Sequence, residues 1–256
     1  MKIHSEELSD VTRYIENNRQ LRLEDHEQQF ENYLRLIRPH HTVDESTRIL
    51  EVGTGTGWFP LMCKARGLNC RGLEISPQLV EYAKQLGRGY GIEPDIQLGN
   101  IEEEDIGNNE YDVIVAFSVF EHVEHWERGL QRIYKALRPA GVLLFGSTNK
   151  FGPSNEFDFP FYGWFPDKWR YRLRIHYQGP EIMKLGIDFN QFTYPQLRRE
   201  FRQTGFRRIY DRMQIADPNY RSHGLRKFAL QACKTLPPLR HLALTFIQGT
   251  DFICVK

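Results

Sequence analysis

From residue 48 onward, hydrophobic positions fall into short runs separated by glycine-punctuated turns and by stretches of helical spacing. Residues 48–52 form a short apolar run, which predicts a strand, and a glycine-rich turn follows it. Residues 58–66 predict a helix, with Pro60 tolerated in its first turn and Gly67 as its stop. Residues 70–74 predict a second strand. Ser76-Pro77 then supplies an N-cap and a first-turn proline for a helix reaching about Gly87. Residues 95–98 predict a third strand. Residues 111–118 are almost continuously apolar, as a buried central parallel strand requires. Trp126, Leu130, Ile133, Tyr134 and Leu137 mark one face of a helix that stops at Arg138-Pro139-Ala140-Gly141, and residues 142–148 predict a fifth strand. Strands alternating with helices imply right-handed crossovers and an open parallel sheet with helices on both faces.

The flanks read differently. Residues 1–45 are charged and lack strand-like alternation, while Leu21, Leu23, Phe30, Tyr33, Leu34 and Ile37 keep rough helical spacing. One or two helices ending before Pro39 are expected, forming a cap. Residues 151–195 hold 13 of the chain's 33 aromatic residues. A helix at 194–204, a strand at 206–213, two amphipathic helices over 223–248 split by Pro237-Pro238, and a last strand at 252–255 follow. That last strand is expected to run antiparallel at one side of the sheet. The pattern gives one domain over 1–256, divided into a helical cap (1–45), a ligand-binding core (46–150), an aromatic-rich lid (151–192) and C-terminal helices and strands (193–256).

Composition narrows the function classes. The chain has 256 residues, 40% of them hydrophobic and 26% charged, enough for a full core. A net charge of +1 gives no global pull toward nucleic acid, and no nucleic-acid partner is expected. No apolar stretch is long enough to span a bilayer, which leaves peripheral membrane contact open. Four cysteines lack metal-ligand spacing or a disulfide framework, so no metal site is expected and the thiols suit a reducing, cytoplasmic setting. The arginines at 198, 199, 202, 207, 208 and 212 cluster locally and read as a solvated face.

The chemistry concentrates where the first strand ends. Glu51-Val-Gly53-Thr54-Gly55-Thr-Gly57-Trp58 lies where an open α/β sheet binds its ligand. A dinucleotide loop would want Gly or Ala where Trp58 stands. No Lys or Arg occurs between Glu51 and Pro60, and the Glu51 carboxylate opposes a diphosphate while suiting a cationic ligand. Glu74, 21 residues after Gly53, has the spacing of an acid that accepts both ribose hydroxyls. Asn100 after strand three can hydrogen-bond an adenine amino group, and Ile101 can pack on the ring. Phe117-Ser118 ends strand four.

These motifs, in order at residues 49–57 (ILEVGTGTG), 72–76, 99–101, 111–122 and 137–148, resemble those of the small-molecule branch of class I S-adenosylmethionine-dependent methyltransferases. That branch includes ubiquinone-biosynthesis-like and sugar- and lipid-modifying enzymes. The resemblance covers roughly residues 45–150 and implies a Rossmann-like, seven-stranded methyltransferase sheet. It implies S-adenosyl-L-methionine as cofactor and S-adenosyl-L-homocysteine as product. The expected contacts are Glu51, Gly53, Thr54, Gly55, Gly57, Trp58, Glu74, Ile75, Asn100, Ile101, Phe117 and Ser118. Asn100 departs from the Asp more usual there.

The implied reaction is methylation of a small-molecule acceptor, with oxygen on a sugar, lipid-linked or natural-product substrate first and nitrogen next. His122, in Ser118-Val-Phe-Glu121-His122, is the candidate general base, with helix capping or pocket shaping as its alternative role. Glu121 suits a structural role and His125 a helix surface. Phe157, Phe159, Phe161, Tyr162, Trp164, Phe165, Trp169 and Tyr171, interleaved with Lys168, Arg170, Arg172 and Arg174, read as a substrate lid, a membrane-docking face or a satellite core. The rivals are a nicotinamide oxidoreductase, a protein that binds the cofactor without transferring anything, and an RNA or protein methyltransferase. Acceptor identity and oligomeric state have no signature here.

Overall fold

A computed structural model describes residues 10–153, 159–180, 190–218, 220 and 224–256. Two helices open the described chain, α1 (Asp10–Asn18) and α2 (Glu27–Ile37), joined through a single 3-10 turn at Leu23–His26. The α/β alternation follows: β1 (Arg48–Val52), α3 (Trp58–Ala65), β2 (Asn69–Glu74), α4 (Pro77–Gly89), β3 (Asp95–Leu98), β4 (Tyr111–Phe117), α5 (Trp126–Ala136) and β5 (Leu137–Ser147). Then come α6 (Asp167–Gln178), α7 (Tyr194–Thr204), β6 (Arg208–Asp211), the single-turn α8 (Arg212–Ile215), α9 (Gly224–Thr235), α10 (Pro237–Phe246) and β7 (Thr250–Val255).

The seven strands form one sheet in the order β3-β2-β1-β4-β5-β7-β6. Strands 1 to 5 are parallel, and β7 is antiparallel to both neighbours. The last strand is therefore antiparallel as expected, but it inserts between β5 and β6, and β6 holds the edge.

Alternation along the strands sorts the core into two layers. Leu50, Val52, Ile114, Ala116, Leu143, Phe145, Phe252 and Cys254 face α5 and α7, packing with Leu130, Ile133, Leu197 and Phe201. Ile49, Val113, Val115, Val142, Leu144, Ile253 and Val255 face the opposite side, packing with Phe30, Tyr33 and Ile37 of α2 and Phe59 and Met62 of α3. α2 thus completes one of the two helical layers.

Elements in the second half of the chain depart from the sequence pattern. The strand expected at 206–213 stops at Asp211, because the Asp211 carboxylate accepts the backbone N–H groups of Met213 and Gln214 and starts α8. The fifth strand begins at Leu137, which pairs with Tyr111 across an irregular stretch before regular pairing resumes at Val142. Within the aromatic segment, α6 had no expectation behind it.

Candidate functional site

All of the motif residues lie at the carboxyl ends of β1, β2, β3 and β4, on one rim of the sheet. The loop after β1 holds its shape through three glycines in the left-handed region, Gly53, Gly55 and Gly57 at φ 69°, 56° and 76°. Close approach is required as well: a Cβ on Gly53 would lie 2.4 Å from Val119 Cγ2, and one on Gly57 2.5 Å from Ala83 Cβ. The Gly53 N–H donates to Leu73 O at 2.7 Å, tying the loop to β2.

Two buried carboxylates flank this loop. Glu74 accepts the Gly55 N–H at 2.8 Å through Oε2 and the Ser76 N–H at 3.0 Å through Oε1. Its burial raises its pKa, and the N–H donors of Ser76, Gly55 and Ile75 oppose that rise. Glu51 is different, because its Oε2 is buried with no hydrogen-bond partner. Burial pushes its carboxyl well above the ordinary 4.5, and Cys63 and the Glu74 carboxylate push the same way. Thr54 Oγ1, between them in sequence, is also buried without a partner. A carboxylate held in this state fits a cation, since a positive group beside it would relieve both desolvation and like-charge repulsion. The methionyl ammonium of S-adenosylmethionine has that charge, Glu74 keeps acceptor lone pairs for ribose hydroxyls, and the glycines leave room for close backbone approach.

The remaining expected contacts divide. Ile75, Phe117 and Ser118 stay partly or fully accessible on the rim. Ser118 sits at φ 53°, a strained conformation for a residue with a side chain, and its N–H donates to Gly146 O at 2.9 Å. Asn100 uses Oδ1 to accept the Glu102 N–H at 2.9 Å, so it caps a turn and keeps its amide NH2 and a second lone pair for a ligand. Ile101 is buried in the core with Phe120, Trp126 and Leu130, which sets its side chain apart from the accessible rim. Trp58 stacks on His26 at 4.8 Å and approaches Tyr33 at 5.7 Å. Its indole therefore serves the junction with the N-terminal cap.

His122 ends a one-turn 3-10 helix, Phe120–His122, directly after β4, and is half-buried. The neighbouring Glu121 is buried and accepts the Ser147 hydroxyl at 2.6 Å, bridging this turn to the end of β5. His125 is exposed and its N–H donates to Glu102 Oε1.

Two tyrosines of the cap had no signal in the motif pattern. Tyr14 on α1 places Oη 3.2 Å from where a Gly55 Cβ would stand. The residue is 47% exposed overall, and burial of its hydroxyl together with the charges of Glu74 and Glu51 raises its pKa. Tyr33 on α2 stacks on Phe117 at 4.7 Å, and burial holds its phenol far above its ordinary range. Only helical spacing pointed to α2, and nothing in the spacing marked Tyr14.

The aromatic segment splits between core and surface. Tyr162, Arg170, Arg174 and Phe192 are buried, with both guanidinium groups over the Tyr162 ring at 5.7 and 5.5 Å. Phe161, Trp164, Phe165 and Trp169 are exposed. Phe157 lies outside the described residues. The basic cluster on α7 to α8 is partly consumed internally, since Arg198 approaches Asp211 and Arg212 pairs with Asp251. Among the described residues no cluster of His, Cys, Asp and Glu could hold a metal, and the four cysteines are free.

A mostly parallel α/β sheet with a buried acid at the glycine loop and a second at the end of β2 fits the class of S-adenosylmethionine-dependent methyltransferases. The methyltransferase-domain family matches residues 15–210, and this chain belongs to it. A ubiquinone biosynthesis O-methyltransferase from Rickettsia canadensis is 25% identical over 114 residues, 44% of this chain and 48% of that protein. A malonyl-acyl-carrier-protein O-methyltransferase from Halalkalibacterium halodurans is 30% identical over 122 residues, 45% of this chain and 43% of its own length. The chain therefore spans about half the length of the curated relatives it matches. The crystal structure of a SAM-dependent methyltransferase from Archaeoglobus fulgidus aligns at TM-score 0.57 and 14% identity, covering 95% of this chain and 98% of that one, and establishes the shared fold.

Proposed function

We propose that this chain transfers a methyl group from S-adenosylmethionine to an oxygen of a small-molecule acceptor. The observation that carries the reading is the buried, unpartnered Glu51 Oε2 beside the glycine loop, with Glu74 anchored to the Gly55 N–H. The two O-methyltransferase relatives support oxygen as the acceptor atom. When bound, S-adenosylmethionine supplies a methyl group on a sulfonium, already activated toward in-line displacement. The chain's own tasks are to bind, align and exclude water. Glu51 holds the cationic end, Glu74 the ribose hydroxyls, and the backbone at Phe117-Ser118 floors the site. Gly53, Thr54, Gly55 and Gly57 form the backbone cradle, with Ile75 and Asn100 toward the adenine; Trp58 and Ile101 shape the site from behind.

If the acceptor is a hydroxyl, its proton would go to an imidazole nitrogen of His122 as oxygen bonds the methyl carbon and the methyl–sulfur bond breaks, leaving the thioether product. The aromatic segment after β5 serves as the acceptor-side wall. The free thiols suit a cytoplasmic enzyme.

Calorimetric titration with S-adenosylhomocysteine and S-adenosylmethionine, with NAD as control, tests the cofactor half. Micromolar binding, weakened at least about tenfold in Glu51→Ala and Glu74→Ala, is expected, a loss of about 1.4 kcal/mol or more. NAD binding in its place would return the loop to redox chemistry. For the acceptor half, His122→Ala is expected to lower turnover on a hydroxyl acceptor about 10²–10⁴-fold with cofactor affinity unchanged. Undiminished turnover would point to an acceptor that is already deprotonated, such as a carboxylate.

A further inference from the structure

Among the described residues, eleven of the fifteen exposed large hydrophobic side chains lie between Phe161 and Phe246. They are not scattered. On α10, Leu239, Leu242 and Phe246 follow one another at spacings of three and four, so they share a face, and all three are exposed (38%, 56% and 44%). Leu244 points the other way, into the core. The stripe continues beyond the helix: the Phe246 ring lies 5.7 Å from Trp164, itself 45% exposed, and Trp164 lies 5.5 Å from the exposed Phe161. Among the described residues, five large apolar side chains from two separate segments thus form one exposed surface. Single exposed leucines need no explanation, but a contiguous stripe of this kind does.

Charge identifies what covers it. Between Asp217 and Asp251 the sequence has five Lys or Arg residues and no Asp or Glu, and of these Arg240 is paired internally with Asp211. On α6, next in the chain after Trp164, the exposed Trp169 and Ile175 alternate with the exposed Lys168 and Arg172. A protein with a net charge of only +1 therefore concentrates cations and exposed aromatics in the same segments. A second copy of the same face would bring like charges together, whereas an anionic bilayer surface complements them. Trp and Tyr with Lys and Arg is also the composition that sits well at a headgroup boundary. Among the described residues no helix is long and apolar enough to cross a membrane, so the contact would lie on the surface.

The stripe has a fixed relation to the sheet. Asn149, two residues beyond β5, donates through Nδ2 to the carbonyls of Leu244, Thr245 and Ile247 at 3.1, 3.1 and 2.7 Å. This pins the end of α10 to the same rim that carries the glycine loop. We propose that the face formed by Leu239, Leu242, Phe246, Trp164 and Phe161 docks the protein on an anionic lipid surface.

The test is flotation of the purified full chain with vesicles of phosphatidylcholine alone and of phosphatidylcholine with phosphatidylglycerol, at low and high salt. Association with the anionic vesicles is expected, at least about tenfold weaker with Leu242→Glu and Phe246→Glu together, and weakened by salt. Both positions are exposed, and unchanged S-adenosylhomocysteine titration of the double variant separates lost docking from lost folding. Quenching of tryptophan fluorescence by brominated lipid is expected to fall in Trp164→Phe. Absence of vesicle binding overturns the proposal, as does equal binding to neutral vesicles. So does a concentration-dependent dimer that the double variant dissolves, which would assign the face to a second copy. Vesicle binding by a protein that ignores S-adenosylhomocysteine would leave this surface standing and remove the methyl-transfer reading.

Discussion

The sheet rim between β1 and β5 and the segments from Phe161 to Phe246 use their residues in opposite ways. At the rim, function is written in backbone: three left-handed glycines, a strained Ser118, and two buried carboxylates beside them. In the later segments most of the described backbone is helical, with β6 and a left-handed Phe161 (φ 57°) among the exceptions, and what stands out is side chains on the surface. The first region is constrained by a ligand whose chemistry is fixed. The second is free to vary with whatever lies outside it. A strong internal anchor nevertheless ties the second region down. Asp211, fully buried at the edge strand, accepts Arg240 of α10, lies 3.2 Å from the Tyr194 hydroxyl and 3.7 Å from Arg198, and caps α8.

Removing that anchor should give the largest effect. Asp211→Ala leaves two guanidinium groups without their partner and strips the cap of α8. A loss of about 3–5 kcal/mol of unfolding free energy in urea is expected. Hydrogen exchange should be fastest in α8 to α10, with β1 to β4 still protected. Uniform loss of protection would mean that the two regions fold as one unit and differ only in their chemistry.

The converse change belongs to the loop. Gly57→Ala combines a left-handed φ of 76° with a Cβ 2.5 Å from Ala83 Cβ. We expect about 2–4 kcal/mol of destabilisation together with loss of S-adenosylhomocysteine binding. Gly91→Ala makes the control, since Gly91 has φ 67° but open space around its Cβ position. Only about 1–2 kcal/mol should be lost there, with cofactor affinity intact.

The same contrast explains what the sequence made legible. Strand periodicity and glycine punctuation placed β1 to β4 within a residue and the end of β5 as well, while the start of β5 at Leu137 lay inside the stretch read as a helix end and turn. A parallel strand buried on both faces leaves little latitude in composition. Glu51 and Glu74 were legible for the same reason: few roles suit an acid at those spacings. Ile101 and Trp58 were legible as part of the motif but not in orientation, since which way a side chain packs depends on α5 and on the cap. Tyr14 left no trace, because its partner, the Gly55 loop, is distant in sequence. The strand expected at 206–213 was cut short by a tertiary event, the capping of α8 by Asp211, which outweighs local strand propensity.

A smaller effect, visible only through pH, comes from Glu51. Its pKa in the folded chain lies well above the ordinary 4.5, so between those two values the native state holds a proton that the unfolded chain has released. Stability from this group is full below about pH 4.5 and falls as pH rises through the native value. Glu51→Gln should therefore raise the melting temperature relative to wild type at pH 8, and the gain should shrink toward pH 5. Thermal unfolding of both proteins at the two pH values checks this. A gain of equal size at both would mean that the Glu51 titration is not what separates them. A bound cation at Glu51 reverses the trend, so S-adenosylhomocysteine should stabilise wild type more at pH 8 than at pH 5.

The smallest expected effect tests whether the cap is part of the site. Tyr14 stands over Gly55 from α1, and its hydroxyl feels both Glu74 and Glu51. Its phenol is outside both core clusters, so deleting the hydroxyl should cost folding stability less than about 0.5 kcal/mol. A donor near the two carboxylates at the mouth of a ligand loop has a different value once the ligand is in place, where a hydrogen bond from its hydroxyl would count in a desolvated site, and its ring stands beside Gly55. Tyr14→Phe is expected to weaken S-adenosylhomocysteine binding about three- to tenfold, equivalent to one neutral hydrogen bond of about 0.6–1.4 kcal/mol, and Tyr14→Ala to weaken it further by uncovering the loop. Calorimetric titration of the three proteins separates the contributions. If Phe matches wild type and Ala does not, the ring alone closes the site. If neither differs, α1 packs beside the cofactor region without joining it, and ligand recognition belongs wholly to the strands and loops from β1 onward.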